Sequence, residues 1–131
     1  MEKLSMRECD IWLRYAKSNL RIAREIKYHE EVRYEDLCNQ LQQSVEKALK
    51  GLLVFFGVSP EKTHYIDKLL ASLENLVDIP DYVREANELT GYALDLRYPG
   101  IYNDLEDAEE FNRLLTIAEE CVRWVEETMK L

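Results

Sequence analysis

Chain breakers are scarce in this sequence: four glycines and three prolines among 131 residues, well below the roughly 12 % that an average protein spends on the two. That scarcity excludes a loop-rich sandwich, a collagen-like repeat and a disordered tail. What fills the space is a three-and-four repeat of apolar residues, the spacing of one face of a helix. One domain spanning residues 1–131 is expected from the length, which leaves no room for a second core.

Ser5 with Glu8 fits a capping box. Behind it Cys9, Trp12, Ala16, Leu20, Ala23 and Ile26 predict a first helix over about residues 6–28. On its other faces Arg7, Arg14, Lys17, Arg21 and Arg24 form a basic stripe, read first as a solvated face and second as an anion or partner surface. His29 follows in a charged loop. A second helix runs from about Glu35 to Phe56, interrupted only by Gly51, with Leu37, Leu41, Val45, Ala48 or Leu49, Leu52 and Phe55 inward and Gly57 as its C-cap. A third, shorter helix carries Ile66 through Leu76. Pro80-Asp81 opens a fourth through Val83, Ala86, Leu89, Ala93 and Leu96, ended by Pro99-Gly100. Asp104 caps a fifth that keeps a near-heptad beat to the C-terminus. No segment alternates with period two for long enough to predict a strand. The expected architecture is all-α: an up-and-down bundle of about five helices, four long and one short.

Charge and cysteine narrow the chemistry. The formal net charge is −9. Residues 1–65 hold 11 basic and 10 acidic side chains, residues 66–131 hold 6 and 16, so nucleic acid gains nothing from the overall field. Cys9, Cys38 and Cys121 are odd in number and unclustered, which predicts buried thiols in a reduced, cytoplasmic protein rather than a zinc site. No apolar run approaches the length of a membrane span. GxGxxG, GxxxxGK[ST], HExxH and GxSxG are all absent, and with them the dinucleotide, P-loop, zinc-protease and serine-hydrolase readings. ExxH di-iron spacing is absent too. No cofactor or metal is expected.

Two concentrations of polar residues remain. On the second helix Gln43, Glu46, Lys47 and Lys50 recur at spacings of three, four and seven. There Glu46 can pair with Lys50, a few tenths of a kcal/mol if the pair is exposed, while Gln43 offers an amide. After the fourth helix, Leu96-Arg97-Tyr98-Pro99-Gly100-Ile101-Tyr102 puts one guanidinium fork beside two tyrosines in a turn, a set suited to phosphate and to base stacking. A structural turn with Arg97 capping helix carbonyls fits the same residues. His64 opens the third helix, where the helix dipole would favour its neutral form.

Together these residues resemble the HEPN domain, a small all-α fold of higher-eukaryote and prokaryote nucleotide-binding proteins. The resemblance covers nearly the whole chain. Its markers are Trp12, Ala16 and Ala23, the Gln43-x-x-Glu46-Lys47-Ala48-x-Lys50 core, Gly57, His64 ahead of Leu69-Leu70, and Arg97-Tyr98-Pro99. It implies a homodimeric helical bundle that partners a minimal nucleotidyltransferase in a pair resembling a toxin and its antitoxin. Ligand or partner contacts then fall to Gln43, Glu46, Lys47, Lys50, His64, Arg97 and Tyr98. Many members are metal-independent ribonucleases whose motif is an arginine followed four to six residues later by a histidine. Arg97 matches the arginine, but the positions that follow are Tyr102, Asn103 and Asp104. A tyrosine with a pKa near 10 is a poor proton acceptor at neutral pH, so the expectation is a binding subunit for a nucleotide or a nucleotidyltransferase. Arg97, Tyr102 and His64 are the residues that ribonuclease chemistry would need. Tyr98 or Tyr102 could accept an adenylyl group from the partner, and a structural homodimer is the remaining alternative.

Overall fold

The computed structural model describes residues 7–26, 31–93 and 108–130. Within them three long helices make the frame: α1 (Glu8–Ile26), α2 (Tyr34–Phe55) and, last in the chain, α5 (Ala108–Met129). Between α2 and α5 lie the short α3 (Ile66–Leu73) and α4 (Asp81–Arg84), the latter continued by a 3-10 helix over Glu85–Tyr92. No strand occurs among the described residues. The segment holding Leu96, Arg97, Tyr98, Pro99, Gly100, Tyr102 and Asp104 falls outside them, as do Ser5 and His29.

Contacts between named residues give the directions. Asn19 bonds Gln40 and Lys47, and a Cβ on Gly51 would meet Trp12, so α1 and α2 are antiparallel. Tyr34 packs on Phe111 with ring centroids 5.5 Å apart and Gly51 lies against Met129, which makes α5 parallel to α2. Arg113 on α5 bonds Glu88, whereas Trp124, further along, shares a cleft with Tyr82; α4 and the 3-10 helix therefore run against α5. Four legs alternate in direction and α3 is the additional short helix. α2 is the central leg, with fifteen of its 22 residues buried.

The fourth expected helix is where sequence periodicity and structure part. Only Asp81–Arg84 is α-helical, and the rest of that leg is 3-10. Asn87, Thr90 and Gly91 are poor interior helix residues, and two of them spend their side chains elsewhere. Thr90 Oγ1 accepts the Ile66 amide and Asn87 Oδ1 the Asp67 amide, both at 3.1 Å. The leg thus caps the open N-terminus of α3. α3 itself stops at Leu73, and Leu76, expected inside, is exposed. Ile26, also expected to face inward, is exposed.

α2 ends as expected. Gly57 has φ +80°, and the amides of Gly57 and Val58 bond the carbonyls of Val54 and Leu53, both at 2.9 Å, the two bonds of a Schellman motif. Gly51 has a separate role. An added Cβ would stand 2.7 Å from Trp12 Cβ and 3.2 Å from the Cys9 carbonyl, so its missing side chain is what lets α1 approach α2. All three cysteines are free and buried, and burial pushes the Cys121 thiol up to about 12. They pack as small apolar side chains.

Candidate functional site

Along one stripe of α2, Gln42, Glu46 and Lys50 stand at i, i+4 and i+8, each at most 9 % exposed. Gln42 Nε2 donates to Glu46 Oε1 at 2.8 Å and Lys50 Nζ donates to Glu46 Oε2 at 3.0 Å. His64, in the loop before α3, brings Nδ1 to 3.0 Å from the same Oε1. Burial alone would raise the Glu46 pKa. The bonds from His64, Lys50 and Gln42, with the Lys50 charge, outweigh it and hold the carboxyl below the usual carboxylate range. Glu46 is therefore an acceptor only, so Nδ1 of His64 carries the proton and the ring is fixed in orientation.

This arrangement corrects two expectations and gives His64 its partner. Glu46 and Lys50 do pair, but as a buried pair rather than a surface one. The amide that serves them belongs to Gln42, not Gln43. His64 turns to a carboxylate, while the α3 N-terminus is served by Thr90 and Asn87.

Gln43 and Lys47 take partners other than Glu46 and Lys50. Gln43 Nε2 donates back to Asn39 Oδ1 at 2.7 Å, and Asn39 Nδ2 donates to the Tyr92 carbonyl at 2.8 Å. Lys47 reaches across to Asn19 Oδ1 at 2.8 Å, and Asn19 in turn donates to Gln40 at 2.7 Å. α2 thus carries three polar lines: one to His64, one to the end of the 3-10 helix, one to α1. Asn39 and Gln42 were missed because both occupy buried positions within the apolar repeat. The signal that could have found them is the i, i+4 step back from Gln43 and Glu46.

The Asn39 line reaches the last described turn before the chain leaves the described residues. It anchors the backbone at Tyr92, and the segment bearing Arg97, Tyr98 and Tyr102 leaves the described chain at Ala93, the next residue. The basic stripe on α1 divides. Lys17 and Arg24 reach over to Glu126 and Glu119 of α5, Arg21 pairs with Glu25, and Arg7 with Asp10. A solvated, ion-paired face is what these residues make. Among the described residues no group of His, Cys, Asp and Glu is arranged to hold a metal ion, and no helix is long and apolar enough to cross a membrane.

The chain is a four-legged helical bundle whose central helix buries a bonded glutamate–lysine pair, and it belongs to the HEPN domain family, whose model matches residues 9–128. It is similar to the crystal structure of TT1696 from Thermus thermophilus, with 33 % identity over 93 % of this chain and 98 % of that one and a TM-score of 0.78. It is also similar to ST0689, an archaeal HEPN homologue, with 27 % identity over 95 % and 99 % of the two chains and a TM-score of 0.71. No curated protein matches it.

Proposed function

We propose that this chain is the binding subunit of a two-component, toxin–antitoxin-like system in the cytoplasm, docking a minimal nucleotidyltransferase and its nucleotide at the α2–α3 junction around His64. One observation carries the reading: a glutamate and a lysine are buried on α2 where apolar residues would serve a plain bundle at least as well. Replacing such a pair by packed apolar side chains is often neutral or stabilising, so its retention supports a task beyond packing. The network reaches His64, whose side chain is 44 % exposed. Arg97 supplies a fork for phosphate and Tyr98 a ring for a base.

The test is co-purification with the product of the adjacent gene, joined to calorimetric titration of the purified chain with ATP. Binding that weakens about tenfold or more in His64→Ala, roughly 1.4 kcal/mol, supports the reading. Heats equal to dilution, together with no co-purifying nucleotidyltransferase, overturn it.

The His64–Glu46 contact favours a second reading, a metal-independent ribonuclease in which His64 stands in for the motif histidine. A carboxylate that orients an imidazole through Nδ1 leaves proton transfer to Nε2, with Arg97 on the scissile phosphate. RNA cleavage in chelator that disappears in both Arg97→Ala and His64→Ala is its signature. Intact RNA at micromolar protein removes it.

A further inference from the structure

Between α4 and the C-terminal half of α5 lies a cleft of about 320 Å³, lined by Tyr82, Glu120, Arg123, Trp124 and Glu127. The four α5 residues stand at i, i+3, i+4 and i+7, so they share one face of that helix, and Tyr82 closes the other side. None of the five takes part in the Glu46 network. The volume lies at the small end of the range for ligand sites, the size for a small metabolite.

The polar groups around the cleft have no partners within the fold. Trp124 is only 9 % exposed, yet its indole N–H meets no acceptor among the described residues. No side-chain nitrogen or oxygen of the described residues is both sealed from solvent and unbonded, so this N–H keeps an opening, and the cleft is the space that Trp124 lines. A largely buried donor left open in this way calls for an acceptor. Arg123 has Glu120 three residues before it and Glu127 four after, the two spacings at which a helix builds ion pairs. It joins neither, and among the described residues neither carboxylate takes another cation. By contrast Arg7, Arg21, Arg24, Arg33, Arg84 and Arg113 each hold a carboxylate.

This set of groups selects its ligand by charge. A simple anion would satisfy the guanidinium and the indole N–H but would also face two carboxylates. A plain amine would satisfy the carboxylates and leave both donors unmet beside it. A molecule carrying both charges answers every group. Its carboxylate accepts from the Arg123 fork and the indole N–H, and its ammonium donates to Glu120 and Glu127. An α-amino acid holds these two charges on one carbon. Its side chain then lies against the Tyr82 and Trp124 rings, which suits an apolar or aromatic residue.

We propose that the α4–α5 cleft binds a free α-amino acid with an apolar or aromatic side chain, its carboxylate on Arg123 and Trp124 and its ammonium on Glu120 and Glu127. The experiment is calorimetric titration of the full chain with L-phenylalanine, with Trp124 fluorescence read in Trp12→Phe and helicity monitored to confirm folding. The expected result is saturable binding with a change in Trp124 emission, weakened about tenfold or more in Arg123→Gln and in Glu127→Gln. Phenethylamine, which lacks the carboxylate, and phenylpropionate, which lacks the ammonium, should each bind about tenfold or more weakly than the amino acid. Heats equal to dilution from L-phenylalanine, L-leucine and L-methionine alike at millimolar concentration overturn the proposal. So does binding indifferent to both variants, which would place the amino acid elsewhere. Phenethylamine or phenylpropionate binding as tightly as L-phenylalanine overturns it too, since the cleft would then be a site for one charge only.

Discussion

Glu46 has hydrogen bonds on both carboxylate oxygens, yet it lies among the apolar positions of α2. Removing it strands the Lys50 ammonium in a site with little water. Glu46→Ala is expected to destabilise by about 3 kcal/mol, whereas Glu46→Leu with Lys50→Met costs far less. Urea unfolding of the single and double variants measures the difference. The same carboxylate sets an acid limit. Its folded pKa lies below the ordinary 4.5, so its contribution is fully present above about pH 4.5 and is lost as pH falls through the folded value. Wild-type stability between pH 6 and 3 should therefore fall more steeply than that of the apolar double variant. Parallel curves would show that the carboxylate carries no such linkage. Gln43, Glu46 and Lys50 were legible as chemistry-bearing residues from spacing alone. Which of them is buried was not, because a repeat places residues on a helix without saying what covers that side.

At the scale of elements, two features come from single residues. Gly51 marks a close approach of α1 to α2. Gly51→Ala must push Trp12 Cβ away from 2.7 Å, and because the clash is with a Cβ, no rotamer change relieves it. A loss of about 1–3 kcal/mol is expected, against the small gain that alanine brings in a helix without such a neighbour. Thermal melts decide the sign. The α3 N-terminus depends on the 3-10 helix through Thr90, so Thr90→Val, which keeps the shape and removes the acceptor, should cost about 1 kcal/mol. An unchanged melting temperature would show water serving that amide equally well. Helix existence was readable for α1, α2, α3 and α5, since amphipathic repeats of that length leave few alternatives. The 3-10 form of Glu85–Tyr92 was not. It depends on where the Thr90 and Asn87 side chains find partners, and those partners lie about twenty residues away on α3.

For the molecule as a whole, one core cluster draws buried residues from all six elements, Cys9 through Met129. Unfolding is expected as one cooperative transition, with helix loss at 222 nm and tryptophan fluorescence coinciding, since Trp12 and Trp124 sit on different legs. Separated midpoints would divide the chain into independently melting parts. The all-α class followed from the sequence, because periodicity and scarce breakers are local properties that each window of residues carries by itself, and the HEPN resemblance followed from its marker residues such as the Gln43-x-x-Glu46-Lys47 core. The tertiary structure alone decided that Gln42 rather than Gln43 serves Glu46, that His64 faces a carboxylate, and that Tyr82 of α4 shares a cleft with Trp124 of α5. Those outcomes turn on which side of each helix meets another, and one-dimensional spacing sets the angle between two residues on a helix but never the direction from which a neighbour arrives.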